Sequence, residues 1–200
     1  MLGRHWSRRD AVGHWLFWAV LPGLLCMSSF GTALFFQQAQ LVAEKGWSLT
    51  AFAGLYPFYV GASVTSVFVT GWALDRWGSR RILPLHLVPM AAGFLLLSAT
   101  EGVGLAIPGM MLMGVTAGMG NAVIGAFWPE FYGTARLGAI RAIGASVSVF
   151  ASATGPGVTG WVLDLGVRFE TQLVFMSAIA LALSAMLAVA MRRAPALSAA

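Results

Sequence analysis

Few side chains in this sequence could carry acid–base, nucleophilic or metal chemistry. Its 200 residues hold three histidines, seven carboxylates and one cysteine. A serine or cysteine nucleophile needs a base within reach, and no Gly-x-Ser-Gly segment accompanies His5, His14 or His86. Metal binding needs a cluster of His, Cys, Asp or Glu, and the long apolar stretches contain none. No phosphate-binding loop is present either. No cofactor, metal or enzymatic activity is expected. Two other sets of residues stand out. One is a dense charged motif, Gly71-x-x-x-Asp75-Arg76-x-Gly78-x-Arg80-Arg81. The other is a set of neutral polar side chains inside apolar stretches: Ser28, Ser29, Thr32, Gln37, Gln38, Thr116 and Asn121.

The surroundings of both sets are membrane-like. The chain is 58% hydrophobic and 10% charged, where soluble domains carry about 25% charged residues. The net charge of +5 does not indicate nucleic acid. Its arginines are spread over short polar segments rather than gathered on one face, as topology-setting residues are. Cys26 stands alone and inside an apolar run, so no internal disulfide is available.

Six apolar segments of membrane-crossing length follow one another, at about 13–42, 49–74, 82–100, 103–128, 142–163 and 171–191. The first should kink at Pro22-Gly23 and protrude at its end. Pro84 falls in the first turn of the third, Pro129 should end the fourth, and Gly155-Pro156-Gly157 should break the fifth. The charged motif reads as a tight loop between segments two and three, because each of its charges costs roughly 2.5–3.5 kcal/mol at a helix centre. Six crossings put both termini on one side. That side collects ten cations, Arg4, Arg8, Arg9, Arg76, Arg80, Arg81, Arg136, Arg141, Arg192 and Arg193, and the other only Lys45 and Arg168. The positive-inside rule makes the ten-cation side cytoplasmic. The fold class is therefore an all-α membrane protein, one bundle of six transmembrane helices over residues 1–200, with N- and C-termini inside.

Amides are costly in lipid unless paired or facing water. Gln37 and Asn121 either line a solute cavity or bond between helices. Ser28 and Thr32 are weaker cavity candidates, since hydroxyls can bond back to their own helix. His86 is expected to be neutral and to donate to a neighbouring helix. Gly114 and Gly118, with Ala122, recur at the spacing that lets helix backbones approach closely.

The charged motif resembles the signature loop of the major facilitator superfamily, which joins the second and third helices of each six-helix half on the cytoplasmic side. Ala73-Leu74 inverts the usual order and Ser79 replaces a usual basic residue; both fit the weaker copy in the C-terminal half. Pro129-Glu130-Phe131-Tyr132-Gly133 with Leu137-Gly138-Ala139-Ile140 is similar to the loop between the tenth and eleventh helices. Gly155-Pro156-Gly157-x-x-Gly160-x-x-x-Asp164-x-Gly166 is similar to the eleventh helix and its outer end. Segment four lacks the arginine that often marks the fourth helix of the N-terminal half. Within the family the chain is most similar to monocarboxylate or organic-anion porters.

The resemblance implies a secondary transporter that moves a small solute by alternating access, embedded in the lipid bilayer and without a nucleic-acid partner. Segments one and four would line the cavity, with Ser28, Thr32, Gln37 and Asn121. Gly71, Asp75, Arg76, Gly78, Arg80 and Arg81 would form a cytoplasmic latch, with Asp75, Arg76 and Arg80 bonding across to a second bundle. Gly114, Gly118, Gly155, Pro156 and Gly160 would serve helix packing and kinks. The family has two bundles and this sequence one. The chain is then a part of a longer transporter, a half that pairs with itself or with a separately encoded half, or a non-transporting membrane protein that kept the half-fold as an interaction module.

Overall fold

A computed structural model describes residues 6–134 and 136–194; Arg4 and His5 lie outside them. The described chain is helical, in ten α-helices: α1 (Arg8–Val12), α2 (Trp15–Phe36), α3 (Gln38–Lys45), α4 (Leu49–Ala53), α5 (Tyr56–Trp77), α6 (Ser79–Ile82), α7 (Val88–Ala99), α8 (Ile107–Tyr132), α9 (Leu137–Asp164) and α10 (Phe169–Arg193). They make six spans long and apolar enough to cross a membrane: Trp15–Phe36, Leu49–Trp77, Ser79–Ala99, Val103–Tyr132, Leu137–Asp164 and Phe169–Arg193.

The pairing of the spans is regular. Span two packs along span four, and span one along span five. Span three packs on spans four and six, and span six also on span one. Exchanging the first three spans with the last three maps this set of pairings onto itself. The connections are short, so successive spans run in opposite directions and the two triplets are related as an inverted repeat.

Lipid offers little hydrophobic drive between helices, so close backbone approach and interhelical bonds hold such a bundle. A Cβ on Gly114 would overlap the Tyr59 carbonyl and one on Gly118 the Ser63 carbonyl, which seats span four on span two. A Cβ on Gly155 would overlap the Ser29 carbonyl, which seats span five on span one. Hydroxyls bridge spans six and three: Ser184 donates to the Pro84 carbonyl at 2.6 Å and Ser177 to that of Ala91 at 2.9 Å. Each such bond contributes about 0.6 kcal/mol. Spans two and five are the peripheral ones. Only 17% of the most apolar stretch of each is buried, against 56% for span three, and they show Val64, Phe68, Phe150 and Val158 outward.

The structure corrects several boundaries. The first segment is not one helix to residue 42. Its α-helix ends at Phe36, Gln37 departs from helical geometry, and α3 runs on to Lys45. Pro129 does not end span four; α8 runs through it to Tyr132 and stops at Gly133, φ +76°. Proline removes one amide donor, and the carbonyl four residues back, Gly125, takes a bond from Arg141 Nη2 at 3.4 Å instead. Span five is not broken at Pro156 and begins at Leu137 rather than near Ala142. The Pro156 carbonyl accepts from the Thr159 hydroxyl at 3.1 Å and from the Gln37 amide at 3.4 Å, which ties Gln37 to span five at this turn.

Candidate functional site

The charged motif is less a loop than a helix end. α5 carries Gly71, Asp75 and Arg76 within its last turns, and the chain reverses at Gly78 alone. Gly78 has φ +74°, where a side chain would be strained. Ser79 then starts α6, and its backbone N–H donates to Glu130 Oε2 at 3.1 Å. A carboxylate from the end of span four thus sits on the positive end of span three. That place belongs to Glu130 and not to Asp75, which is exposed. Arg80 turns within the bundle: its Nε donates to the Met191 carbonyl at 2.7 Å and its Nη2 to that of Arg192 at 3.3 Å, neutralising the negative end of span six. Arg76 lies over Trp72, 6.0 Å from the ring centre. Among the described residues, Asp75, Arg76 and Arg81 make no salt bridge.

The opposite end of the bundle repeats the device. Glu44, at the end of α3, accepts from the backbone N–H groups of Phe169 at 2.7 Å and Glu170 at 3.1 Å, which start span six. Burial pushes the Glu44 carboxyl up. The bonds from Phe169, Gln40 and Glu170 and the Arg168 charge outweigh this and leave it below the ordinary carboxylate value. Lys45 donates to the Ser98 carbonyl near the end of span three and pairs with Glu170 at 3.1 Å. Spans three and six are therefore held at both ends by charges from neighbouring elements.

Two pockets lie along the face of span one. The first, about 390 Å³, is lined by residues of spans one, four and five, including Met27, Ser28, Asn121, Trp128, Arg141 and Ser148. The second, about 210 Å³, is lined by spans one to four, including Met27, Ser28, Thr32, Phe35, Tyr59 and Thr116. They share Met27 and Ser28. Ser28 donates to the Ser148 carbonyl at 2.7 Å, which ties span one to span five at this waist. Thr32 bonds back to the Ser28 carbonyl at 2.7 Å.

The structure thus brings Ser28 and Asn121 to one pocket and Ser28 and Thr32 to the other. Gln37 joins neither; its amide reaches span five at Pro156, beside Gly160. Arg141 was missed as a cavity residue. Its place in a charged stretch read as a loop, whereas it lies in the second turn of α9 and faces Asn121. His86 is fully buried, and its hydrogen bond stays within its own 3-10 turn: Nδ1 bonds the Leu83 carbonyl at 2.5 Å. Nε2 finds no partner among the described residues. No metal-binding cluster occurs among them.

Six apolar spans, two of them with ends fixed by charge, and a polar seam along span one define a multi-pass integral membrane protein. The family model described as Major Facilitator Superfamily matches residues 9–200, and the chain belongs to that superfamily. Two relatives from Mycobacterium tuberculosis, strains CDC 1551 / Oshkosh and ATCC 25618 / H37Rv, are each named Multidrug resistance protein B homolog. Each is 28% identical over 126 residues, 63% of this chain. The aligned region makes up 23% of each relative's length.

Proposed function

We propose that residues 1–200 act as one six-helix bundle of a secondary transporter, working with a second six-helix half, and that a small solute moves along span one by alternating access. The observation that carries this reading is the pair of pockets meeting at Met27 and Ser28. In a superfamily chain built as an inverted repeat, a polar seam near mid-bundle is where a solute site is expected. Ser28, Asn121 and Arg141 supply two neutral groups and one cation to it, which suits a solute with hydrogen-bond acceptors. Spans two and five, with their open apolar faces, are where the second half would dock. The ten-cation end is cytoplasmic, so both termini are inside.

The charged motif plays two parts in this reading. Arg80 and Glu130 fix helix ends within the bundle, and the exposed Asp75 is left for contacts with the second half. Asp75→Asn is expected to lower flux and leave membrane insertion intact. The test is solute flux in vesicles by an assembly containing both halves, with Asn121→Ala and Arg141→Gln. Each should cut flux about tenfold, the scale of one lost polar contact of 1–2 kcal/mol, with unchanged protein in the membrane. Wild-type flux in both variants would exclude this pocket from the path.

A further inference from the structure

A further cavity lies away from the solute seam. It lies at the charged end between spans three and six, about 780 Å³, and is lined by Arg76, Arg80, Arg81 and Arg192 with Glu130 and Trp77 around its rim. Its inner wall is apolar, from Pro84, Leu85, Ala188 and Met191. Four cations face one carboxylate, and that carboxylate already accepts the Ser79 N–H. Arg80 is committed to the end of span six. Arg76, Arg81 and Arg192 have no carboxylate partner among the described residues, and all three are exposed. Below the rim, Leu85 is 52% exposed on the outer face of the bundle. Trp72 and Trp77 pack edge to face at 5.4 Å beside the mouth, the position of aromatic rings at a membrane interface.

We propose that this cleft binds an anionic glycerophospholipid, its phosphate on Arg76, Arg81 and Arg192 and an acyl chain along Leu85 and Ala188. A soluble phosphate would use the cations but gain nothing from the apolar wall. A zwitterionic lipid would use the wall, but its own ammonium would offset the attraction. Basic pockets between membrane helices select anionic headgroups for this reason. The site rests on the membrane reading and not on transport, so it can be tested in the absence of flux.

The experiment titrates the purified full chain in neutral detergent with brominated phosphatidylglycerol, and separately with brominated phosphatidylcholine, reading quenching of tryptophan fluorescence. Trp77→Phe identifies the quenching that arises at the cleft. Phosphatidylglycerol should quench Trp77 at concentrations at least tenfold below phosphatidylcholine, and millimolar glycerol phosphate should not reverse it. Arg76→Gln with Arg81→Gln should weaken phosphatidylglycerol binding about thirtyfold, at about one power of ten or less per surface cation. Arg8→Gln with Arg9→Gln removes the same charge from α1 and should change it less than twofold. Equal loss in both double variants, equal quenching by the two lipids, or reversal by glycerol phosphate would each overturn the proposal. Phosphatidylcholine quenching retained in the cleft variant shows that it is folded.

Discussion

Gly118 shows how much a single hydrogen in place of a methyl group decides. Its Cα faces the Ser63 carbonyl of span two so closely that any Cβ would overlap it. Gly118→Val must therefore push spans two and four apart. Overpacking costs about 1–3 kcal/mol, and the loss should appear as a lower midpoint in SDS titration of the detergent-solubilised protein. Gly71→Ala is the contrasting case, because nothing lies within 4 Å of a Cβ there and alanine is the better helix former, so its midpoint should equal or exceed the wild-type value. Spacing alone marks Gly114 and Gly118 as a helix contact. It does not say that Gly71, a member of the charged motif, has open space beside it.

At the scale of elements, helix ends decide more than helix interiors. Glu130→Gln replaces a carboxylate at the start of span three with a neutral amide, and should cost about 0.5–2 kcal/mol in the same SDS titration. Glu44 acts likewise on span six, and its carboxyl lies below the ordinary value of 4.5. A carboxyl lowered by folding contributes stability that is fully present above the ordinary value and is lost as pH falls through the lowered one. The difference in unfolding midpoint between wild type and Glu44→Gln should therefore be constant from pH 7 to about 5 and shrink as pH falls below about 4.5. A difference that does not shrink at all as pH falls below about 4.5 would mean that Glu44 does not act through its charge.

These contacts also mark where reading the sequence stops. The six spans are legible because apolar runs of membrane length are a local property, and the cation bias is a sum over the chain. The match between Glu130 and Ser79 joins residues far apart in sequence, and nothing near either announces it. Pro129 reads as a helix end and Pro156 as a break because their local effect is to remove a donor. The replacement donor at Pro129, Arg141 on the Gly125 carbonyl, depends on a neighbour that only folding supplies. Arg141 was obscured by the same error: with Pro129 read as an end, the residues after it read as loop, and a cation facing Asn121 was counted as a surface charge.

For the molecule as a whole, the inverted pairing of the spans places span one beside spans four, five and six, and the two pockets run along it with Met27 and Ser28 between them. Alternating access requires this waist to meet water from each side in turn. Cys26, the one cysteine of these 200 residues, is buried, so with any cysteines of the second half replaced an introduced cysteine can be read against it. The decisive measurement is the reaction of Ser28→Cys, in an assembly of both halves in sealed vesicles, with a membrane-impermeant thiol reagent applied to either side. Val158→Cys on the outward apolar face serves as the control. Ser28→Cys should react from both sides, and Val158→Cys from neither. A Ser28→Cys that reacts from one side only, or from neither, would contradict a solute path through the waist.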